Sequence, residues 1–371
     1  MDDEPEFKTP GDAVRAAMEK LEWTQPDLAY VLGTTTATVN QILNDKRAIS
    51  HNMAKALAAA LKMSPEKLAR LQAEWDVRRA DEPDPAIATR ARIFERYPLR
   101  EMAKRGWIDP EHPSKSIESQ ICDFFGVSSL DDVPYLAHSA KKTNYDHIPA
   151  PQLAWLFRVR QIAKEMHCPT FDRAKLQQAI TQFSDLRIEP EAVRHVPVLL
   201  NAAGVRLVVV EALPNSRIDG VCFWLDGRNP VIGLSIRYDR IDNFWFVLRH
   251  ECAHVMHGHG KEIALIDSDL EGDLSSVVQE EEIIANREAA EFCVPPEKMR
   301  SFIDRKRPFF AERDVLAFAK IQKVHPGLVV GQIQRAMDRY DLLRKHLVKI
   351  RKPLAMSIMM DGWGDIVPTE R

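Results

Sequence analysis

The chain has 371 residues, 45% of them hydrophobic and 28% charged, with a net charge of −3. That length and apolar content suit two or three domains with sizeable cores, while so small a net charge singles out no class of partner. Five cysteines, at 122, 168, 222, 252 and 293, are scattered and odd in number. With no signal peptide and no apolar run near the length of a membrane span, they argue for a cytoplasmic protein with no membrane partner.

In chain order, the first signal lies at 24–33. Thr24 caps a helix, Gln25-Pro26 fills its first turn, and Gly33 supplies the left-handed residue that ends it. A second short helix follows over 34–43, with Val39, Ile42 and Leu43 on its inner face, so that Thr35, Thr36, Ala37, Asn40 and Gln41 point outward. Further helices near 11–22, 51–61 and 65–78 complete a five-helix helix-turn-helix domain over residues 1–80. Thr hydroxyls and Asn and Gln amides suit base edges and phosphates, and Ala37 is small enough to meet a thymine methyl. The candidate set facing double-stranded operator DNA is Gln25, Thr35, Thr36, Ala37, Thr38, Asn40 and Gln41, with Lys46 and Arg47 set against the phosphate backbone. Charge is a weak support: residues 8–79 hold 11 Lys and Arg against 8 Asp and Glu, behind an acidic start of Asp2, Asp3, Glu4 and Glu6. One such domain binds weakly alone, so a homodimer on a two-fold site is expected.

This stretch resembles the phage-repressor-like antitoxins of addiction modules, HigA in particular. The likeness is carried by Pro10-Gly11, Thr24-Gln25, Leu28-Ala29, Ile42-Leu43-Asn44, Lys46-Arg47-Ala48-Ile49-Ser50 and Leu71-Gln72-x-x-Trp75-Asp76. The resemblance implies autoregulation at an operator and a cognate toxin as partner. Position 45 departs from the pattern, with Asp where the family has Gly; Asp tolerates a left-handed turn at some cost.

The polar, Pro-interrupted segment 80–85 reads as a domain boundary. Beyond it, helical periodicity over 87–105, 115–125, 151–166 and 172–184 gives a helical middle region, 81–190, acting as a spacer or as a relay of strain. Short strands are then expected at 205–211, 220–225 and 230–236, rich in β-branched and aromatic residues and punctuated by turns.

A helix predicted over 241–257, with Asp239 or Asp242 as its cap and Gly258 or Gly260 at its end, carries His250-Glu251-Cys252-Ala253-His254. Two imidazoles four apart share one helical face and form a pincer for a divalent metal, with the Glu251 carboxylate beside it as a base. Asn243, Val247 and His257 lie on the same stripe, and Phe244, Trp245, Phe246 and Leu248 supply apolar bulk. A second helix over 280–293, ended by Pro295-Pro296, offers the third ligand. Stepping by three and four from Glu282 reaches Ala285, Asn286, Ala289 and Cys293, small residues that permit close helix approach, whereas Glu280, Glu281, Arg287, Glu288 and Glu291 form a charged set suited to solvent. Glu282 is therefore the expected third ligand of a Zn2+ ion, with Asn286 supporting its carboxylate. His257 lies two turns from His250 and is read as a capping or core histidine, and Cys252 as a small buried hydrophobe.

The combination of His250-Glu-x-x-His254, Glu282-x-x-Ala285-Asn286 and Pro295 resembles the ImmA/IrrE metallopeptidases over about residues 190–340. The resemblance implies a zinc-dependent peptidase domain of α+β, zincin-like fold, with Glu282 as third ligand. Cys252 as a competing soft ligand, and the extra imidazoles of His257 and His259, depart from that pattern. No oxyanion stabiliser is evident, Tyr238 and His325 being candidates better suited to turn or core roles.

The segment 335–352 reads as a basic amphipathic helix. The expected architecture is mainly α with a small β-sheet: a helix-turn-helix domain (1–80), a helical middle region (81–190), a metallopeptidase domain (191–340) and a C-terminal helix and tail (341–371). The expected function is an antitoxin-type regulator that binds operator DNA and carries a zinc-dependent peptidase domain cleaving a regulatory protein, with a toxin or repressor as protein partner. The contrasting class is a non-enzymatic antitoxin or sensor whose peptidase-like domain binds a toxin or ligand.

Overall fold

The computed structural model describes residues 7–130, 132, 149–261, 265–268 and 276–369; the acidic start at Asp2, Asp3, Glu4 and Glu6 lies outside them. The chain divides into two compact units, Met1–Ile87 and Ala88–Arg371. Among the described residues, no helix is long and apolar enough to cross a membrane.

The first unit is built from α1 (Pro10–Lys20), α2 (Gln25–Val31), α3 (Thr36–Leu43), α4 (His51–Leu61) and α5 (Pro65–Arg79). Each start is set by a hydroxyl residue: Thr9, Thr35, Ser50 and Ser64 accept from backbone N–H groups three residues on, and the Asp27 carboxylate closes the first turn of α2 by accepting from the Thr24 N–H. Val14, Leu28, Val39, Ile42, Leu57 and Leu68 form the core. Gly11 is required by packing, since a Cβ there would meet the Leu43 carbonyl oxygen at 2.5 Å. Asp45 does adopt the left-handed conformation, with φ of 55°, and its carboxylate accepts from the Gly11 N–H at 2.8 Å. The Asp45 side chain thus ties the turn after α3 to the start of α1.

The second unit has three layers. Its five-stranded sheet runs β4-β2-β3-β1-β5, formed by β1 (Arg206–Val210), β2 (Ile218–Leu225), β3 (Asn229–Leu234), β4 (Leu265–Ser268) and β5 (Met360–Asp361). β1 is parallel to β3 and β5, whereas β2 is antiparallel to β3 and β4. Strand alternation divides the residues between two cores. Leu207, Val209, Cys222, Trp224, Ile232 and Leu234 face one set of helices: α10 (Arg173–Leu186), α11 (Val196–Ala202), α12 (Ile241–His257), the end of α13 (Ser276–Cys293), α14 (Pro296–Lys306), α15 (Glu312–Gln322), α16 (Pro326–Met337) and α17 (Arg351–Leu354). Val208, Val210, Val221, Phe223 and Val231 face the opposite layer of α6 (Pro85–Arg96), α7 (Leu99–Lys104), α8 (Ile117–Phe125) and α9 (Ala150–Glu165).

The middle helices are therefore packed parts of the second unit rather than a spacer: α6 to α9 cover one face of the sheet and α10 lies on the other. Trp155 Nε1 donates to the Val210 carbonyl at 2.8 Å and the Arg105 guanidinium to the Glu211 and Ala212 carbonyls at 2.7 and 2.9 Å. The deepest tie is ionic: Arg158 of α9 donates through Nε to Asp361 of β5 at 3.0 Å, and Asp361 also accepts from Trp107 Nε1 at 2.8 Å. The unit division after Ile87 accordingly falls later than the predicted 80/81 boundary, inside α6.

Other expectations change for local reasons. The helix expected over 87–105 breaks at Pro98 into α6 and α7, because proline disfavours helix in the residue before it. The basic helix expected over 335–352 ends at Met337, where Asp338 and later Leu343 turn left-handed at φ of 51° and 49°. Its cations find partners within the unit, Arg339 with Asp341 at 2.6 Å and Lys345 with Glu312 at 2.7 Å. Neither Asp239 nor Asp242 caps α12: Asp239 accepts from the Ile350 and Arg351 N–H groups, and Asp242 pairs with Arg240.

Asp361 is fully buried and Arg158 is 4% exposed. Asp361→Ala strands a buried guanidinium and is expected to cost about 3–5 kcal/mol, read as a lower urea midpoint for the second unit.

Candidate metal centre and helix-turn-helix face

α12 runs without Pro or Gly from Ile241 to His257 and stops where Gly258 takes the left-handed cap at φ of 76°. Phe244, Trp245 and Leu248 anchor it in the core, and this places His250 and His254, each 1% exposed, in the interior. α13 packs beside it. Ala285 and Ala289 are fully buried and Cys293 is 4% exposed, so the small-residue row that starts at Glu282 is the surface along which the helices meet.

That contact brings three ligand atoms together. The Nε2 atoms of His250 and His254 are 3.0 Å apart, and the Glu282 carboxylate oxygens lie 3.3 Å from the first and 3.5 Å from the second. Among the described residues this is the one group of three or more His, Cys, Asp or Glu able to hold a metal ion. A tetrahedral zinc with bonds of about 2.0–2.2 Å places neighbouring ligand atoms about 3.3–3.6 Å apart; the two spacings to Glu282 match this, the two imidazole nitrogens at 3.0 Å stand a few tenths of an ångström closer, and the donor chemistry suits that ion. Burial works to raise the Glu282 carboxyl, but hydrogen bonding and charge from the two imidazoles overcome it and hold it down to about 2. A carboxylate ionised at neutral pH is the form that binds a metal.

Glu251 is fully buried and points at β2. The space it occupies exists because residue 220 is glycine: a Cβ there would overlap the Glu251 Oε1 and meet Val247 Cγ1 at 2.8 Å. A bulge between Ile218 and Gly220 in the pairing of β2 with β4 marks the same point. Gly220 is a site residue that sequence reading missed, its only signal being a glycine inside a strand pattern.

The remaining site residues divide. Asn286 is exposed, and among the described residues its amide makes no hydrogen bond to Glu282. Glu288, expected in solvent, bridges the two helices, accepting from Arg249 and His257 at 2.6 Å each. His257 is thus engaged away from the ligand group. Cys252 is fully buried, its thiol pushed up to about 12 chiefly by burial, as suits a packing residue. His325 accepts from the Gly327 N–H at the start of α16, a capping role. His259, unassigned by sequence, lies with Nδ1 3.1 Å from His254 Nδ1.

In the first unit, Thr35, Thr36, Ala37, Asn40 and Gln41 are exposed along α3, as are Lys46 and Arg47 after it. Thr38 is half-buried, and its hydroxyl lies 3.1 Å from the capping Thr35 hydroxyl. Asn40 Nδ2 donates to Gln25 Oε1 at 3.2 Å, which fixes two amides across the turn between α2 and α3.

Two family models match parts of the chain: a helix-turn-helix over residues 14–68, and a peptidase-family model described as the IrrE N-terminal-like domain over residues 202–315. No curated protein matches. The chain thus carries a DNA-binding type of helix-turn-helix and an IrrE-like, peptidase-type domain, and the second match spans β1, α12 and α13, where the ligand group lies.

Gly220→Ala is expected to displace the Glu251 carboxylate and to destabilise the second unit by about 1–3 kcal/mol, measured by urea unfolding, while the first unit keeps its stability.

Proposed function

We propose that this protein is a transcriptional regulator of antitoxin type, in which a helix-turn-helix binds operator DNA and a zinc-dependent peptidase unit cleaves a regulatory protein. The observation that carries the peptidase reading is the convergence of His250 Nε2, His254 Nε2 and the Glu282 carboxylate within 3.5 Å of one another, on helices brought together by small residues.

In this reading His250 Nε2, His254 Nε2 and the Glu282 carboxylate are the groups that would hold Zn2+. When bound, zinc polarises a scissile carbonyl and acidifies water. Glu251 is the general base: held against Gly220 at the residue after His250, its carboxylate takes a proton from the attacking water and returns it to the leaving amine. Burial keeps bulk water from competing for that proton. Arg249 and His257, clamped by Glu288, hold the two helices in register so that the ligand set keeps its spacing.

For DNA, the exposed Thr35, Thr36, Ala37, Asn40 and Gln41 present small and amide-bearing side chains along one face, suited to the major groove. Gln25, joined to Asn40, suits a phosphate or base contact from α2. Thr38 serves this surface chiefly by holding Thr35 in its cap. Lys46 and Arg47 supply phosphate contacts. A homodimer in the cytoplasm, with a co-encoded toxin or repressor as partner and substrate, completes the proposal. Cleavage of that protein, or of this chain, relieves repression.

Three outcomes test this. Zinc binding, measured by chelator competition, should fall by at least about 100-fold in Glu282→Ala. Incubation of the zinc-loaded protein with its co-encoded neighbour should give fragments detectable by mass spectrometry, and Glu251→Gln should slow their formation about 10²- to 10⁴-fold while zinc is retained; undiminished cleavage in that variant removes the mechanism. Thr36→Ala or Gln41→Ala should weaken the operator by about 1–3 kcal/mol with little effect on random duplex, whereas Arg47→Ala should weaken both; equal losses on both duplexes throughout would rule out base reading by α3.

A further inference from the structure

His259 lies just beyond the cap of α12, where a loop residue would normally be free to vary. Its position is instead fixed from several sides. The His259 N–H donates to the His254 carbonyl at 2.9 Å, and its own carbonyl accepts from Trp224 Nε1 of β2 at 2.7 Å. The flanking glycines, Gly258 and Gly260, both adopt positive φ, at 76° and 74°. A Cβ on Gly260 would meet the Cys222 carbonyl oxygen at 2.7 Å, so the loop is pressed onto the sheet. The imidazole is only 12% exposed and stands between His254 and Glu281, with Nδ1 3.1 Å from His254 Nδ1 and Nε2 4.0 Å from Glu281 Oε1.

From this geometry we infer that His259 is a positioning residue for the metal centre: it accepts a hydrogen bond from His254 Nδ1–H and so presents the unprotonated Nε2 of His254 to the ion. The inference rests on the metal-binding reading above and goes beyond it by assigning a proton. His254 faces His250 and Glu282 through Nε2. A neutral imidazole that ligates through Nε2 carries its proton on Nδ1, and that proton needs an acceptor. Two Nδ1 atoms at 3.1 Å can share one proton only if the other ring offers a lone pair, which places the His259 proton on Nε2. There it faces the Glu281 carboxylate, which favours that tautomer through charge, 4.0 Å being too long for a direct hydrogen bond. Histidine ligands are commonly oriented by a carboxylate or a backbone carbonyl; here a second imidazole takes that place, with a carboxylate behind it.

Two readouts test the assignment, neither of them peptidase activity. In the zinc-loaded protein with ¹⁵N-labelled histidine, the His254 Nδ1 proton is expected to be held in an N–H···N hydrogen bond and to exchange slowly with solvent, and His259→Ala should speed that exchange. The Kd for Zn2+ alone, by chelator competition with folding checked by circular dichroism, should rise by about 10- to 100-fold in His259→Ala and return to within about three-fold of native in His259→Gln, whose Oε1 restores an acceptor. An unchanged Kd in His259→Ala, equal losses in the Ala and Gln variants, or a His254 Nδ1 proton that exchanges equally fast in native protein and His259→Ala would each overturn the proposal. If the native protein binds no zinc, the metal-binding reading fails and this inference with it; if it binds zinc and the His259 variants leave the Kd unchanged, only the role of His259 fails.

Discussion

The close approach of α12 and α13 is the constraint on which the candidate centre depends. Helix spacing is set by the side chains caught between two backbones, and here those are Ala285, Ala289 and the small Cys293. A leucine-sized residue in that row would push the helices apart and open the triangle formed by His250, His254 and Glu282. Glu288 secures the same contact from its rim by binding Arg249 and His257 of the facing helix. On its other side α12 rests on β2, where Gly220 leaves room for a carboxylate that any larger residue would displace. The centre is therefore held by an absence of side-chain volume on two flanks as much as by its ligands.

What the sequence disclosed follows from the range of the interactions concerned. The limits of α12, the inner face of α3 and the three longer strands are written in periodicity and end signals within a single element. The pairing of His250 with His254 is written in a spacing of four, and Glu282 could be set beside it as a candidate because its own helix makes it the head of a row of small residues. Features that depend on a distant partner were not legible. Glu288 looks solvent-facing on a helical wheel, which cannot register an arginine on another helix. Asp239 looks like a cap for α12, yet it receives the backbone of Ile350 and Arg351, more than a hundred residues on. His259 carried no pattern at all, because its meaning comes from Trp224 and the turn conformation of two glycines.

The middle helices show the same limit at the scale of a domain. Periodicity identified α8, α9 and α10 as helices but gave no indication of what they pack against. α9 is buried on nearly every side, from Gln152 to Val159, and its Arg158 is buried with them through its pairing with Asp361. A helix of that kind forms a layer of a core rather than a connection between cores. The compact unit that contains the IrrE-like match consequently begins near residue 88 and packs sequence well outside the matched stretch.

The pairing of β1 with β5 has a consequence for biosynthesis. Val209 aligns with Met360, so the sheet reaches its full width only after the intervening 150 or so residues have left the ribosome. The first unit draws its core entirely from residues near the start of the chain and meets no such delay. Translation thus delivers the helix-turn-helix unit before the unit with the IrrE-like domain is complete, and in the proposed regulator the nascent polypeptide acquires its two capacities in that order.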